Sequence, residues 1–298
     1  MLSPRRSSFS KAIALVAAFA GVALLPTTAR AQSCCAGAAV GTGRLLLHEE
    51  YLVGIDVRGT NTLGSFANDA RYRQSAATQI QLEEGLFGSI RFLEKAQASL
   101  RIPFVQNLYE TTARSELSGG IGDVQLSGRY DFLMAGESLS MPGMALIAGV
   151  ITPTGRPVEQ SKRLLGTDTT GTGAYQLSLG FGVEQTFDRI FVGSTTQLTY
   201  RLPRQVRDSE VPGSIQLSEL LAVGWIFENE AVLVFSGLFT IEPEAPKRML
   251  RLSLSFGLPI DDEWRMQGGL FSDLPIRHIG QNQSVGAGFH FAMMRSWS

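Results

Sequence analysis

The stretch Gly119-Gly120-Ile121-Gly122-Asp123-Val124-Gln125-Leu126-Ser127-Gly128-Arg129-Tyr130-Asp131-Phe132 alternates strictly from Val124 onward. Val, Leu, Gly, Tyr and Phe fall on one side, and Gln, Ser, Arg and Asp on the other, the period-2 pattern of a strand with one apolar and one polar face. The fold turns on which face points inward. In a soluble sandwich the apolar faces would meet in a shared core, whereas in a transmembrane barrel they form an outer belt around a polar lumen. The polar face here carries both signs of charge, and the same two-faced pattern recurs along the chain, which favours the barrel.

The N-terminal residues carry Arg5, Arg6 and Lys11, then 14 apolar residues from Ala12 to Leu25, then Pro26 and the small-residue site Ala29-Arg30-Ala31. That is the pattern of a secretory signal peptide over residues 1–31, cleaved before Gln32. The apolar run is shorter than the ~20 residues a spanning helix needs, and no later stretch comes closer, so a helical membrane protein is excluded. Arg5-Arg6 sits off the twin-arginine pattern, and general secretion is expected.

Residues 1–31 hold four bases and no acid, so their removal takes the net charge from −1 to −5. No basic excess remains for nucleic acid to read. Thirty-two glycines suit alternating strands and tight turns. The only cysteines, Cys34 and Cys35, are adjacent; Cα atoms ~3.8 Å apart do not accommodate an unstrained disulfide. Arg30-Ala31-Gln32-Ser33 lacks the aliphatic residue of a lipid-attachment box. Residues 32–43 read as a periplasmic leader and residues 44–298 as one barrel domain.

Alternation predicts twelve strands, near residues 44–58, 71–86, 88–106, 121–134, 143–152, 174–187, 190–202, 214–228, 231–241, 249–259, 263–272 and 284–294. The connections then alternate in length. Residues 59–70, 107–120, 153–173, 203–213, 242–248 and 273–283 are long and rich in Gly, Pro, Ser, Thr, Asn or charge. Phe87, residues 135–142, Asp188-Arg189, Asn229-Glu230 and Ile260-Asp261-Asp262 are mostly tight turns. Long outer loops, short periplasmic turns and an even strand count describe an all-β, up-and-down antiparallel outer-membrane barrel of a Gram-negative-type envelope, with both termini in the periplasm.

Aromatics fall where two girdles would lie: Tyr72, Phe104, Tyr175, Tyr200 and Phe239 at the outer ends, Phe132, Phe187, Phe227, Trp264 and Phe291 at the periplasmic ends. Three residues resist the scheme. Glu49, Glu94 and Glu219 fall on the lipid face, and Phe92-Leu93-Glu94-Lys95 reads equally well as the second turn.

The inward face collects Arg44, His48, Asp56, Arg71 and Arg73, together with the pore-lining candidates Arg91, Arg101, Asp123, Arg129, Asp131, Glu184, Arg201, Arg251 and Arg265. Interspersed signs fit either a solute path or ion pairs bracing the wall. Twelve strands leave a bore between the filled eight-stranded barrels and the open porins of 16 to 18 strands.

Enzyme chemistry finds little footing. No Gly-x-Ser-x-Gly elbow, phosphate loop or His-Glu-x-x-His occurs, and His48, His278 and His290 are the only imidazoles. A barrel phospholipase would need one of them beside a serine that the pattern does not supply. No cofactor is expected. One metal constellation is conceivable, with Cys34, Cys35, His48 and His290 meeting at the periplasmic mouth to hold zinc or copper; the alternative is a leader whose thiols do little and histidines that are simply lumenal.

Gly120-Ile121-Gly122-Asp123-Val124-Gln125-Leu126-Ser127-Gly128-Arg129-Tyr130, then Ile151-Thr152-Pro153-Thr154-Gly155, then Gly171-Thr172-Gly173-Ala174-Tyr175-Gln176-Leu177 resemble successive blocks of the outer-membrane transporter family named for the meta-pathway of phenol degradation. The resemblance implies an outer-membrane barrel for uptake of aromatic or other organic compounds, with no catalytic residue to carry over. It also implies recognition by the barrel-assembly machinery through a terminal aromatic; here the chain ends Phe291 to Trp297-Ser298. Between Thr152-Pro153-Thr154-Gly155 and Gly171-Thr172-Gly173 lies the longest loop, a candidate lid over the outer mouth or else a plain surface loop.

The sequence thus predicts a channel for passive uptake or export of small organic, preferably aromatic, solutes. Outer-membrane lipid and the solute are its expected partners, and a second copy of the chain is a candidate partner. A general small-solute porin and a non-transporting structural or adhesion barrel are the alternatives.

Overall fold

The computed structural model describes residues 43–298 apart from 47, 68, 135–140, 208, 244–246 and 277–279. Residues 1–42, with the expected signal peptide, most of the leader, Cys34 and Cys35, lie outside the described residues, as does His278.

The described residues form β1 (Tyr51–Phe66), β2 (Tyr72–Gln74), β3 (Thr78–Leu93), β4 (Ala96–Glu110), β5 (Ser115–Ile121), β6 (Gln125–Leu133), β7 (Gly143–Ile151) and β8 (Gln176–Phe187). There follow β9 (Ile190–Arg201), β10 (Arg204–Val206), β11 (Ser209–Val211), β12 (Ser214–Ile226), β13 (Val232–Glu242), β14 (Lys247–Pro259), β15 (Trp264–Asp273) and β16 (Ser284–Trp297). β16 pairs back onto β1, Tyr51 opposite Trp297 and Ser65 opposite Ser284, so the sheet closes. β5 and β6 are two halves of one stave on β4, β2 folds onto the tip of β1, and β10 with β11 makes a separate hairpin. The result is a closed antiparallel barrel of twelve staves. Closure leaves no unpaired edge, which a sheet lying in hydrocarbon requires.

Exposure decides which face is outside. On β6, Leu126, Tyr130 and Phe132 are 53%, 44% and 51% exposed, while Asp131 is 6%. The same parity holds for Leu177, Leu179 and Phe181 on β8 and for Leu254 and Phe256 on β14, all exposed. A large alternating apolar surface points outward, and the barrel interior is polar except at the turn end. There Leu45, Leu52, Phe87, Ala292 and Met294 form one buried cluster, and Phe191, Ala222, Ile226, Val232 and Val234 another.

Several expected boundaries move. The first strand is Tyr51–Phe66 rather than residues 44–58, because residues 43–46 and 48–50 lie off the wall on the lumenal side, where Leu45 packs on Leu52 and Phe87. Phe87 is not a turn; it lies within β3, faces inward and is 5% exposed, and the chain reverses instead at Glu94-Lys95. The second strand accordingly runs Thr78–Leu93, not residues 71–86. The expected loop at 107–120 is mostly sheet, since β4 continues to Glu110 and turns tightly into β5. Pro103, which has no ladder donor, marks the place where the partner of β4 changes: Phe104 pairs with Ile121 of β5 and Arg101 with Gln125 of β6.

The last strand extends to Trp297, and Phe291 pairs with Val57, six register steps inside the Tyr51–Trp297 end, so it belongs to the middle of the belt. Trp297 and Trp264 take its place at the turn end, with the Arg295 guanidinium 5.0 and 5.7 Å from their ring centroids. Tyr175, Tyr200 and Phe239 lie exposed towards the loop ends as expected.

Candidate functional site

The lumen is the site, and two segments narrow it. At the turn end, residues 43–46 and 48–50 are held to the wall from several staves. Arg265 on β15 donates from Nη1 and Nη2 to the two carboxylate oxygens of Glu49 at 2.8 and 3.0 Å, and Nη2 also reaches the Arg44 carbonyl at 3.1 Å. Arg91 on β3 donates to the carbonyls of Leu46, Glu49 and Glu94 at 2.6, 2.9 and 3.0 Å. Gln97 accepts from the Leu45 amide at 3.2 Å, and Ser89 donates to the Gly43 carbonyl at 2.7 Å. The Arg44 side chain reaches across the lumen to pair with Glu184 on β8, and lies 3.9 Å from Asp131 on β6. Glu49, expected on the lipid face, is therefore an inward ligand of Arg265, and Glu94 is a turn residue.

At the loop end, residues 152–175 fold against the inner surface of the β4–β5 hairpin. Asp123 anchors both ends of this loop, accepting from the amides of Gly155 and Thr172 at 2.9 and 2.7 Å and from the Thr172 hydroxyl at 3.0 Å. Asn107 donates to the carbonyls of Thr167 and Thr169 at 3.0 and 2.7 Å, and Glu116 accepts from the Leu165 amide at 2.9 Å. Asp168, 3% exposed, gathers Ser161, the Lys162 amide and Arg156. Burial alone would raise the Asp168 carboxyl, yet these donors together hold it well below the ordinary carboxylate range. Glu159 is paired in a fork by Arg204 at 2.7 and 3.0 Å, and that pairing lowers its carboxyl as well. The loop is an ordered element with its own buried carboxylate, not a disordered surface loop.

Between the closures Arg101, Arg129, Arg201 and Arg251 are paired, whereas Arg71 and Arg73, expected on the inward face, lie exposed at the loop end beside β2. Arg101, 5% exposed, clamps Asp56 through two nitrogens at 2.5 and 2.9 Å and Glu83 through the third at 2.6 Å. Gly85 stands between them on β3, and a Cβ there would lie 2.4 Å from Asp56 Oδ2 and 2.8 Å from Arg101 Nε. Arg129 pairs with Asp131 two residues on in its own strand, at 2.8 Å, and lies 3.7 Å from Glu184. Arg201 joins Ser214 and Glu242 at 2.7 and 2.8 Å. Arg251 forks onto Asp273 at 2.7 and 3.1 Å and covers the Phe271 ring, which Arg58 covers at 4.8 Å. Beside Arg129 and Glu184 a cavity of 160 Å³ remains, walled by small residues including Gly149, Ser178, Gly180, Gly182 and Gly193.

The histidines do not converge. His48 is exposed in the bend before β1. His290 pairs with Arg58, seven register steps from the Tyr51–Trp297 end, or roughly 23 Å along the strand. The expected meeting of His48 and His290 at one mouth is thus corrected, because β1 begins at Tyr51 and its register carries His290 to mid-wall. Among the described residues no cluster of three His, Cys, Asp or Glu is placed to hold a metal. One Ser–His pair absent from the sequence pattern does form, Ser255 Oγ and His290 Nε2 at 3.3 Å, but no carboxylate hydrogen bond orients that ring among the described contacts.

The fold is similar to those of solved outer-membrane barrels. An outer membrane channel from Pseudomonas putida F1 superposes with a TM-score of 0.69 at 10% identity, over 85% of this chain and 97% of that one. The translocator domain of the autotransporter NalP from Neisseria meningitidis gives 0.55 at 10% identity, over 97% and 98%. No family model and no curated protein matches the sequence. At such identities the likeness shows architecture.

Asn107, Glu116, Glu83 and Asp168, which organise the loop and the Arg101 clamp, escaped the sequence reading. Continuing the inward parity of Arg101 along β4 would have reached Asn107; Glu116 and Asp168 carry no sequence signal, because their partners are set by how residues 152–175 fold.

Proposed function

We propose that the chain is an outer-membrane channel through which small organic solutes, preferably aromatic ones, pass passively. The observation that carries this reading is an apolar exterior wrapped around a polar lumen that retains a cavity between two folded closures. A purely structural barrel would gain by filling that space with side chains, as narrow barrels do. Here the wall at the cavity is Gly149, Ser178, Gly180 and Gly182, which leaves room beside the Arg129–Glu184 pair.

The signal peptide over residues 1–31 would deliver the chain to the envelope, with β16 and Trp297 the element read by the assembly machinery. The preference for aromatic solutes rests on the family resemblance of the Gly120–Tyr130, Ile151–Gly155 and Gly171–Leu177 blocks. The P. putida structure similar in fold is described as an outer membrane channel, which agrees with the reading.

Liposome swelling tests the solute class. Vesicles holding the purified barrel should swell faster in iso-osmotic phenolics than in sugars of similar size, relative to protein-free vesicles. Equal rates for both solutes would reduce the reading to a general small-solute porin.

A further inference from the structure

Five neutral polar side chains open onto the lumenal cavity without a partner. Gln125 and Ser127 on β6, Ser178 on β8, and Thr195 and Gln197 on β9 line the 160 Å³ space, and among the described residues none of them makes a side-chain hydrogen bond. Each is half-buried. Elsewhere on the same inward face such groups find one another: Gln176 donates to Thr172, Gln216 donates to Ser218, and Ser236 shares a hydrogen bond with Ser253.

The register gathers the five onto one concave patch. Ser127 and Ser178 flank Gly149, Gln197 lies opposite Gly180, and Thr195 lies opposite Gly182. The glycines put no side chain between the polar groups; a Cβ on Gly149 would lie 2.7 Å from Ser178 Oγ. Amides and hydroxyls both donate and accept, so the patch meets either kind of group on a solute. Ile147, Phe191 and Leu220 add apolar wall beside it.

Volume and charge narrow the ligand. The space is close to the ~150 Å³ that houses a single benzene ring in an apolar cavity. Arg44 and Arg129 face Glu184 and Asp131, two charges of each sign, so a charged solute would have to break one of those pairs to find a counter-ion. A bare hydrocarbon ring would strip water from five polar side chains and return no hydrogen bond.

We propose that this cavity is a binding subsite for a neutral, single-ring solute carrying several hydroxyl or comparable hydrogen-bonding groups, with Gln125, Ser127, Ser178, Thr195 and Gln197 setting that specificity. The inference deepens the channel reading and rests on the lumen being the path of the solute.

Equilibrium dialysis of the folded barrel in lipid nanodiscs, with protein-free nanodiscs as the blank, tests it. Phloroglucinol, a benzene ring with three hydroxyls, should bind saturably at one molecule per barrel, phenol more weakly, and benzoate without saturation. Gln197→Met and Ser178→Ala, each keeping its heat-modified migration, should weaken phloroglucinol about five-fold, the worth of one net hydrogen bond. Equal affinity for phloroglucinol and phenol, saturable binding of benzoate, or phloroglucinol binding unmoved by both variants would overturn the subsite. Current steps from the same barrels judge the channel separately. Steps without phloroglucinol binding overturn the subsite alone, and binding without steps overturns the channel alone.

Discussion

Arg265 grips Glu49 through both carboxylate oxygens, at 2.8 and 3.0 Å, across 216 residues of sequence. The pair ties the segment before β1 to β15 and is one of several contacts that hold residues 43–46 and 48–50 in the lumen. Removing the guanidinium in Arg265→Ala takes the cationic partner from a part-buried carboxylate that keeps only the Ser296 hydroxyl and the Leu46 amide, at a cost of ~1–3 kcal/mol. The expected outcome in planar bilayers is a higher open fraction and larger conductance than wild type, partly reversed when Glu49→Gln is added. Unchanged conductance with lowered thermal stability would mean that the segment braces the wall without obstructing it.

Gly85 tests the lumenal clamp. Its missing side chain is what lets Arg101 lie over β3 to meet Asp56, so Gly85→Ala should destabilise the barrel by ~1–3 kcal/mol, the range for overpacking. Gly88, three residues on and facing outward, has its nearest neighbour at 3.4 Å, and Gly88→Ala should stay within ~0.5 kcal/mol of wild type. Urea titration of the folded, heat-modifiable form measures both, and equal effects would show that the clamp does not depend on the absence of a side chain.

The loop over residues 152–175 should respond to acid. Asp168 has a folded pKa below its unfolded value of 3.8, so the stability it lends is present above that pH and is lost as pH falls through the folded value. Pepsin cleavage between residues 153 and 173 should therefore be slow at pH 4.5 and faster at pH 2. Asp168→Asn should be cut readily at both. A wild-type loop cut equally at the two pH values would contradict this role for Asp168.

The cavity wall can be filled. A Cβ on Gly182 meets nothing closer than 3.6 Å, so Gly182→Leu is expected to fold and to occupy the space beside Arg129. Solute flux should fall several-fold while the heat-modified migration of the barrel stays unchanged. Undiminished flux would place the solute path elsewhere in the lumen.

Much of this architecture was legible in alternation alone. Leu250 to Leu258 and Tyr175 to Val183 each keep one parity through a whole stave, because lipid outside and water inside impose opposite demands on successive side chains. The pattern failed where a second segment enters the lumen. Phe87 reads as a break because it is large, apolar and inward; Leu45, from outside the wall, is what makes that position dry. Glu49 reads as a misplaced lipid-facing acid for the same reason, since it precedes the strand and turns in to Arg265.

Most of the lumenal charges were legible as a set of residues, Arg71 and Arg73 excepted, but not as pairs. Arg129 takes Asp131 of its own strand, while Asp123 takes the backbone of a loop some 30 to 50 residues away. Those choices depend on how residues 152–175 fold, which periodicity does not encode.

The central claim is that this closed barrel, with its apolar exterior and partly occluded lumen, conducts. Purified chain added to a planar lipid bilayer should give discrete current steps, enlarged by loosening residues 43–46 and 48–50 through Arg265→Ala. A heat-modifiable, correctly folded barrel that inserts and yields no current steps, in wild type and in Arg265→Ala alike, would contradict it.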